Sequence, residues 1–125
     1  MKIFILAFIY LLIKIVKNYI VKIKIIMSRI LFQINYDVHP EKREEYIATI
    51  KELEKHIKDN TKHNYMVVED KNKKNSFTEI YICKDESEFE GLEDEMDDTT
   101  YGLTTKILSQ YVIDSKSKYY TFYEV

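Results

Sequence analysis

His39, His56 and His63 are the chain's only histidines. A metal centre needs ligands that converge. The patterns around these three place His56 within a helix and the other two at strand ends. They read as separate surface or structural side chains, and no metal is expected. His63 stands just ahead of a strand, within reach of a pocket mouth, and is the one acid–base candidate. Cys83 is the only cysteine, so an intrachain disulfide and a thiolate cluster are excluded. It reads as a small buried apolar residue. Nine acids fall between Asp85 and Asp98 with no basic residue among them. Asp94-Glu95-Met96-Asp97-Asp98 lacks the alternating acids, glycine and closing glutamate of a calcium loop, so a solvated acidic helix face is expected. Gly91 and Gly102 form no phosphate-cradling pattern, and no serine nucleophile motif is present.

Eleven tyrosines are many for 125 residues. Tyr36, Tyr81, Tyr119, Tyr120 and Tyr123 all fall on predicted strands, where rings pack well and bring hydroxyls. Core and dimer packing is expected of most. A pocket lined by such rings would suit a flat aromatic ligand. The ligand-pocket candidates are Asn35, Tyr36, His63, Tyr81 and Tyr123. No catalytic residue is assigned.

The elements that must position these residues are legible from periodicity. Ile30, Phe32, Ile34, Tyr36 and Val38 alternate with Leu31, Gln33, Asn35 and Asp37, which is a strand with one apolar face. His39-Pro40 ends it and opens a helix, whose stripe is Tyr46, Ile47, Ile50, Leu53 and Ile57. Tyr65–Asp70 and Ser76–Cys83 are strands joined by a short polar link and should pair as an antiparallel hairpin. Asp85-Glu86-Ser87-Glu88 is a capping box. The helix behind it carries Phe89, Leu92 and Met96 inward. After a break near 97–100, Leu103, Ile107, Leu108 and Tyr111 face inward from a second helical piece. Ser115-Lys116-Ser117 is a loop, and Tyr119–Val125 a closing strand. The order strand–helix–strand–strand–helix–strand predicts one α+β domain, of ferredoxin-like plan, over residues 27–125.

Residues 1–26 differ in kind. Ile3–Ile13 is an unbroken apolar run, but Lys14 interrupts it short of the roughly 18–20 apolar residues of a spanning helix. Three readings stand: a chain that properly starts at Met27, a membrane anchor, or a cleaved signal lacking a small-residue cleavage site. Five lysines and no acid lie in residues 1–28, leaving 14 basic and 21 acidic side chains in the remainder, a net of −7. That sign argues against nucleic-acid binding. A cytoplasmic location is expected. If residues 1–26 are an anchor, the lysines after the apolar run keep the domain on the cytoplasmic side.

Val38-His39-Pro40-Glu41-Lys42-Arg43-Glu44-Glu45-Tyr46, Glu79-Ile80-Tyr81-Ile82 with Asp85-Glu86-Ser87-Glu88-Phe89, and the terminal Tyr123-Glu124-Val125 resemble the dimeric α/β-barrel superfamily, most of all its antibiotic-biosynthesis-monooxygenase branch. The resemblance implies a homodimer with two sheets stacked face to face. It also implies either a binding or scaffolding module or, as the alternative, a monooxygenase acting on an aromatic or quinol-like molecule without metal or flavin. No cofactor is expected. Heme-degrading members carry a histidine in the second helical region and a tryptophan in the pocket. This chain has no histidine in residues 85–112 and no tryptophan. Near the place of that histidine the chain has Thr99, Thr100 and Tyr101, of which Tyr101 is able to ligate a heme iron.

Overall fold

Alternation along β1 (Ile30–Asp37) sends Ile30, Phe32, Ile34 and Tyr36 to one side of a sheet and Leu31, Gln33, Asn35 and Asp37 to the other. The computed structural model, which describes residues 2–125, shows what each side meets. β2 (Asn64–Glu69), β3 (Ser76–Cys83) and β4 (Lys118–Tyr123) join β1 in an antiparallel sheet of order β2-β3-β1-β4. This is the ferredoxin-like plan. Ile34 sits opposite Glu79 on one side and Tyr119 on the other, while Tyr65 faces Tyr81 and Val67 faces Glu79 across the hairpin.

The helical layer covers only the inner face. Proline lacks the amide of a helix interior but fits a first turn. Here Pro40–Lys42 form a 3-10 turn, and the α-helix proper, α2 (Arg43–Asn60), starts after it. Tyr46, Thr49, Ile50, Leu53 and Ile57 are its buried stripe. Thr49 takes a place expected of Ile47, which is half-buried. Its hydroxyl meets that of Tyr111 at 3.2 Å, which satisfies both groups. The core joins these residues to Tyr36, Val38, Phe77, Ile107, Tyr111 and Val112. Burying a leucine-sized side chain contributes roughly 1.5–3 kcal/mol.

α3 (Glu86–Asp94) begins on Asp85, whose carboxylate accepts from the Glu88 N–H at 2.9 Å. Glu88 reaches back one residue further than a capping box requires and takes the Lys84 N–H at 2.6 Å. Asp97 caps α4 (Asp98–Lys106) through the Thr100 N–H at 2.8 Å. The helix then widens into a π turn over Ile107–Tyr111, closed by Val112 N–H to the Ile107 carbonyl at 3.2 Å. Ile107 and Tyr111 are buried and Leu103 and Leu108 pack beside them. The α3 stripe behaves differently: none of its residues is buried, and Met96 beyond its end is exposed. The space beneath it is not filled.

α1 (Lys2–Met27) is one continuous helix, about 39 Å long at 1.5 Å per residue. Lys14 does not break it. Its apolar side chains, from Ile3 to Ile23, lie in the open. Only Ser28 and Arg29 separate it from β1, and Arg29 holds the other end of the chain through the Glu124 carboxylate.

Candidate functional site

Glu79 lies on the central part of β3 between two inward rings, Phe77 and Tyr81, so period two sends its carboxyl into the core. It is only 5% exposed. An acid there needs a donor, and a tyrosine of the neighbouring strand β2 supplies one. The Tyr65 hydroxyl donates to Glu79 Oε1 at 2.6 Å. On the core side of the acid, the Tyr36 oxygen lies 2.8 Å from that of Tyr46. Rings brace the hydroxyls: Tyr65 packs on Tyr81 at 4.7 Å and Tyr46 on Phe77 at 4.4 Å, centre to centre.

Burial pushes the Glu79 carboxyl above the usual glutamate range, and the Tyr65 and Tyr36 hydroxyls offset only part of that. The phenols of Tyr36, Tyr65 and Tyr81 are likewise held well above the ordinary tyrosine range, first by burial and then by the nearby Glu79 charge. The cluster is thus a set of neutral donors around one acid that resists ionising.

A cavity of about 350 Å³ opens beside that acid, between the sheet and the α3–α4 layer. Phe32, Ile34, Tyr81 and Tyr119 form its floor and Leu92, Met96 and Thr104 its roof, with exposed Glu93 at the rim. Phe32 stacks on Tyr119 at 6.0 Å with nearly parallel planes, and meets Phe89 edge-on at 5.6 Å. This is the void that leaves the α3 stripe half-covered. Its size and lining fit a small, flat, mainly apolar molecule.

Of the five pocket candidates, Tyr81 lines this cavity, and Tyr36 stands behind Glu79. His63 lies on the far side of Tyr81, ring centres 6.2 Å apart. Its Nδ1 is 3.2 Å from Glu88 Oε1 on α3, and the Glu95 carboxylate just past that helix lies 3.7 Å from its Nε2. The larger cleft it borders is polar, walled by Lys62, Lys84, Asp85 and Glu88. Asn35 and Tyr123 are not brought to the cavity. Asn35 is on the opposite face of the sheet, where its buried Oδ1 has no hydrogen-bond partner. Tyr123 ends β4 beside Arg29, Leu31, Ile82 and Phe122. An asparagine at an odd position of β1 cannot share a side with Tyr36.

Cys83 is buried, and its thiol is pushed up to about 11, mainly by burial and then by Glu88 and Asp85. That makes it a poor nucleophile. Tyr101 points outward, two-thirds exposed. Among the described residues no three His, Cys, Asp or Glu side chains converge on a possible ion. His56 binds Asp97 at 2.8 Å instead, and among the acids of residues 85–97 Asp85 and Asp97 are helix caps while Glu88, Glu95 and Asp97 lie against histidines.

No protein-family model and no curated protein matches this sequence. Solved structures do. A conserved protein from Methanosarcina mazei superposes with a TM-score of 0.66 at 17% identity, covering 79% of this chain and 95% of its own. A candidate antibiotic biosynthesis monooxygenase from Caulobacter crescentus has a TM-score of 0.66 at 12% identity, covering 80% and 92%. SnoaB, a cofactor-independent oxygenase from Streptomyces nogalater, has a TM-score of 0.60 at 13% identity, covering 78% and 94%. The chain therefore has the ferredoxin-like α+β fold of the antibiotic-biosynthesis-monooxygenase type. At these identities the likeness is one of fold.

Proposed function

We propose that the domain binds a flat, mainly apolar small molecule in the cavity between the sheet and α3–α4. The observation that carries this is the unfilled 350 Å³ space walled by Phe32, Ile34, Tyr81, Leu92 and Tyr119. A pure scaffold would gain by filling it, since empty apolar volume costs stability. Tyrosine fluorescence of the full chain should respond saturably to naphthalene, and Leu92→Trp, which fills the roof, should weaken binding at least tenfold. Unchanged affinity in that variant would place the ligand elsewhere.

Oxygenation is the second reading, favoured by an acid side chain at the wall of an otherwise apolar cavity and by the fold shared with SnoaB. Molecular oxygen would be the oxidant and a quinol-like ligand the source of electrons. Oxygen uptake that saturates with such a ligand, and disappears in Leu92→Trp, would distinguish an enzyme from a binding module.

Two assembly proposals accompany this. The outer sheet face presents Leu31, Met66, Val68, Ile80, Ile82, Tyr120 and Phe122 with no helix over it. Leaving it wet forgoes about 25 cal/mol per Å² of apolar area, and a second copy stacked face to face would cover it. That copy would also offer donors to the orphaned Asn35 oxygen. Separately, a chain carrying residues 1–26 places α1 in a bilayer. The Lys2–Lys24 stretch is predominantly apolar and uncovered by the domain. At about 34 Å it matches a hydrocarbon layer of about 30 Å. Lys17, Lys22 and Lys24 then keep the domain on the cytoplasmic side.

A further inference from the structure

We infer that Glu79 is the recognition group of this cavity: it selects a neutral ligand bearing a hydroxyl or carbonyl on an apolar ring system, and rejects carboxylates and phosphates. The inference rests on the cavity reading above and goes on to ligand chemistry. Every other inner wall group is a ring, an aliphatic side chain or Thr104, and no lysine or arginine lines the space. An anionic ligand would have no counter-charge there. It would face the Glu79 carboxyl inside and the Glu93 carboxyl at the mouth. A neutral hydroxyl meets a different situation, because a carboxyl can accept from it and, when protonated, can donate to a carbonyl.

The carboxyl is also held still. Its strand is hydrogen-bonded on both sides, to β1 and β2. Tyr65 fixes Oε1, and the paired hydroxyls of Tyr36 and Tyr46 back the group from the core side. A polar group whose direction is fixed in an apolar wall discriminates sharply. A ligand lacking the matching group leaves it desolvated and unpaired.

The experiment uses the full chain in lipid nanodiscs, with empty nanodiscs as the partition reference, and three probes of one shape: naphthalene, 2-naphthol and 2-naphthoate. Wild type should bind 2-naphthol roughly tenfold more tightly than naphthalene, and 2-naphthoate more weakly than either. Glu79→Leu should erase the naphthol advantage while keeping naphthalene. Glu79→Gln, closest in shape, should keep part of that advantage and relieve the naphthoate penalty. Equal naphthol and naphthalene binding by wild type, or a naphthol advantage that survives in Glu79→Leu, overturns the role of Glu79 and leaves the cavity reading standing. Failure of wild type to bind any of the three overturns the cavity reading itself.

Discussion

Removing one oxygen atom tests the physics of the buried cluster. In Tyr65→Phe the ring stays packed against Tyr81, and only the donor to Glu79 Oε1 is lost. A hydrogen bond between neutral groups is worth about 1 kcal/mol, and one to a charged acceptor about 1.5–3 kcal/mol. The cost therefore depends on whether Glu79 is ionised. Its folded-state value lies above the unfolded one, so the native chain holds more protons. Native stability then falls as pH rises from the ordinary glutamate range through the folded value, and levels off beyond it. Tyr65→Phe pushes that value higher still, because Tyr65 stabilises the charged form. The variant should lose about 1 kcal/mol on the acid side of the folded value, where Glu79 is protonated, and about 2 kcal/mol once pH has risen through it. For a domain near 100 residues these are roughly 5 and 10 °C in Tm. Near-UV tyrosine dichroism of the full chain in mild detergent reads the melt. In the Glu79→Gln background, which has no charge to stabilise, the Tyr65→Phe cost should be pH-independent. A loss that stays constant in the wild-type background while the acid's own carboxylate signal shows it ionising would refute the argument.

Three further outcomes follow from other parts of the molecule. The Arg43 guanidinium, helped by the Asn75 N–H, holds the Glu69 carboxyl down at about 2; its stabilising effect is present above the ordinary glutamate range and lost as pH falls towards 2. Arg43→Gln should lower Tm at pH 7 and leave it unchanged near pH 2, as read by melts across that range. Ile80→Lys, on the bare sheet face, should convert a dimer at micromolar concentration into a monomer in sedimentation while Tm stays close to that of the wild-type monomer; a wild-type mass equal to one chain would sink the dimer itself. A chain starting at Met27 should melt cooperatively with the full chain's Tm, since α1 lies apart from the core, and an insoluble or non-cooperative product would show that α1 belongs to the fold.

Strand and helix order were readable because two periods alternate cleanly along residues 30–123. β3 occupies the expected Ser76–Cys83, and the edges of the other strands shift by a residue or two, where backbone pairing rather than side-chain pattern decides the end. The burial of Thr49 was not readable, since a hydroxyl on an apolar stripe only makes sense once Tyr111 arrives from 62 residues away. The half-covered α3 stripe was equally hidden. Phe89, Leu92 and Met96 have the spacing of a packed face, and spacing alone does not reveal whether the partner surface leaves a gap.

Glu79 shows where reading by residue type fails and reading by position would succeed. In Ser76-Phe77-Thr78-Glu79-Ile80-Tyr81-Ile82-Cys83 the odd positions hold two rings and a small thiol, so the same parity sends the glutamate inward. Ile80 and Ile82, the apolar-looking neighbours, lie on the outer face. A search for candidate site residues by histidine, tyrosine and asparagine passes over such an acid, because glutamates are mostly on surfaces. The tyrosines that surround it at positions 36, 65 and 81 share its parity in register. Four polar groups therefore converge on one patch of an apolar face, each costly there alone and tolerable together. An acid among inward rings signals either a matched set of donors or a ligand, and in this domain the donors cover one oxygen while an open cavity adjoins the rest of the side chain.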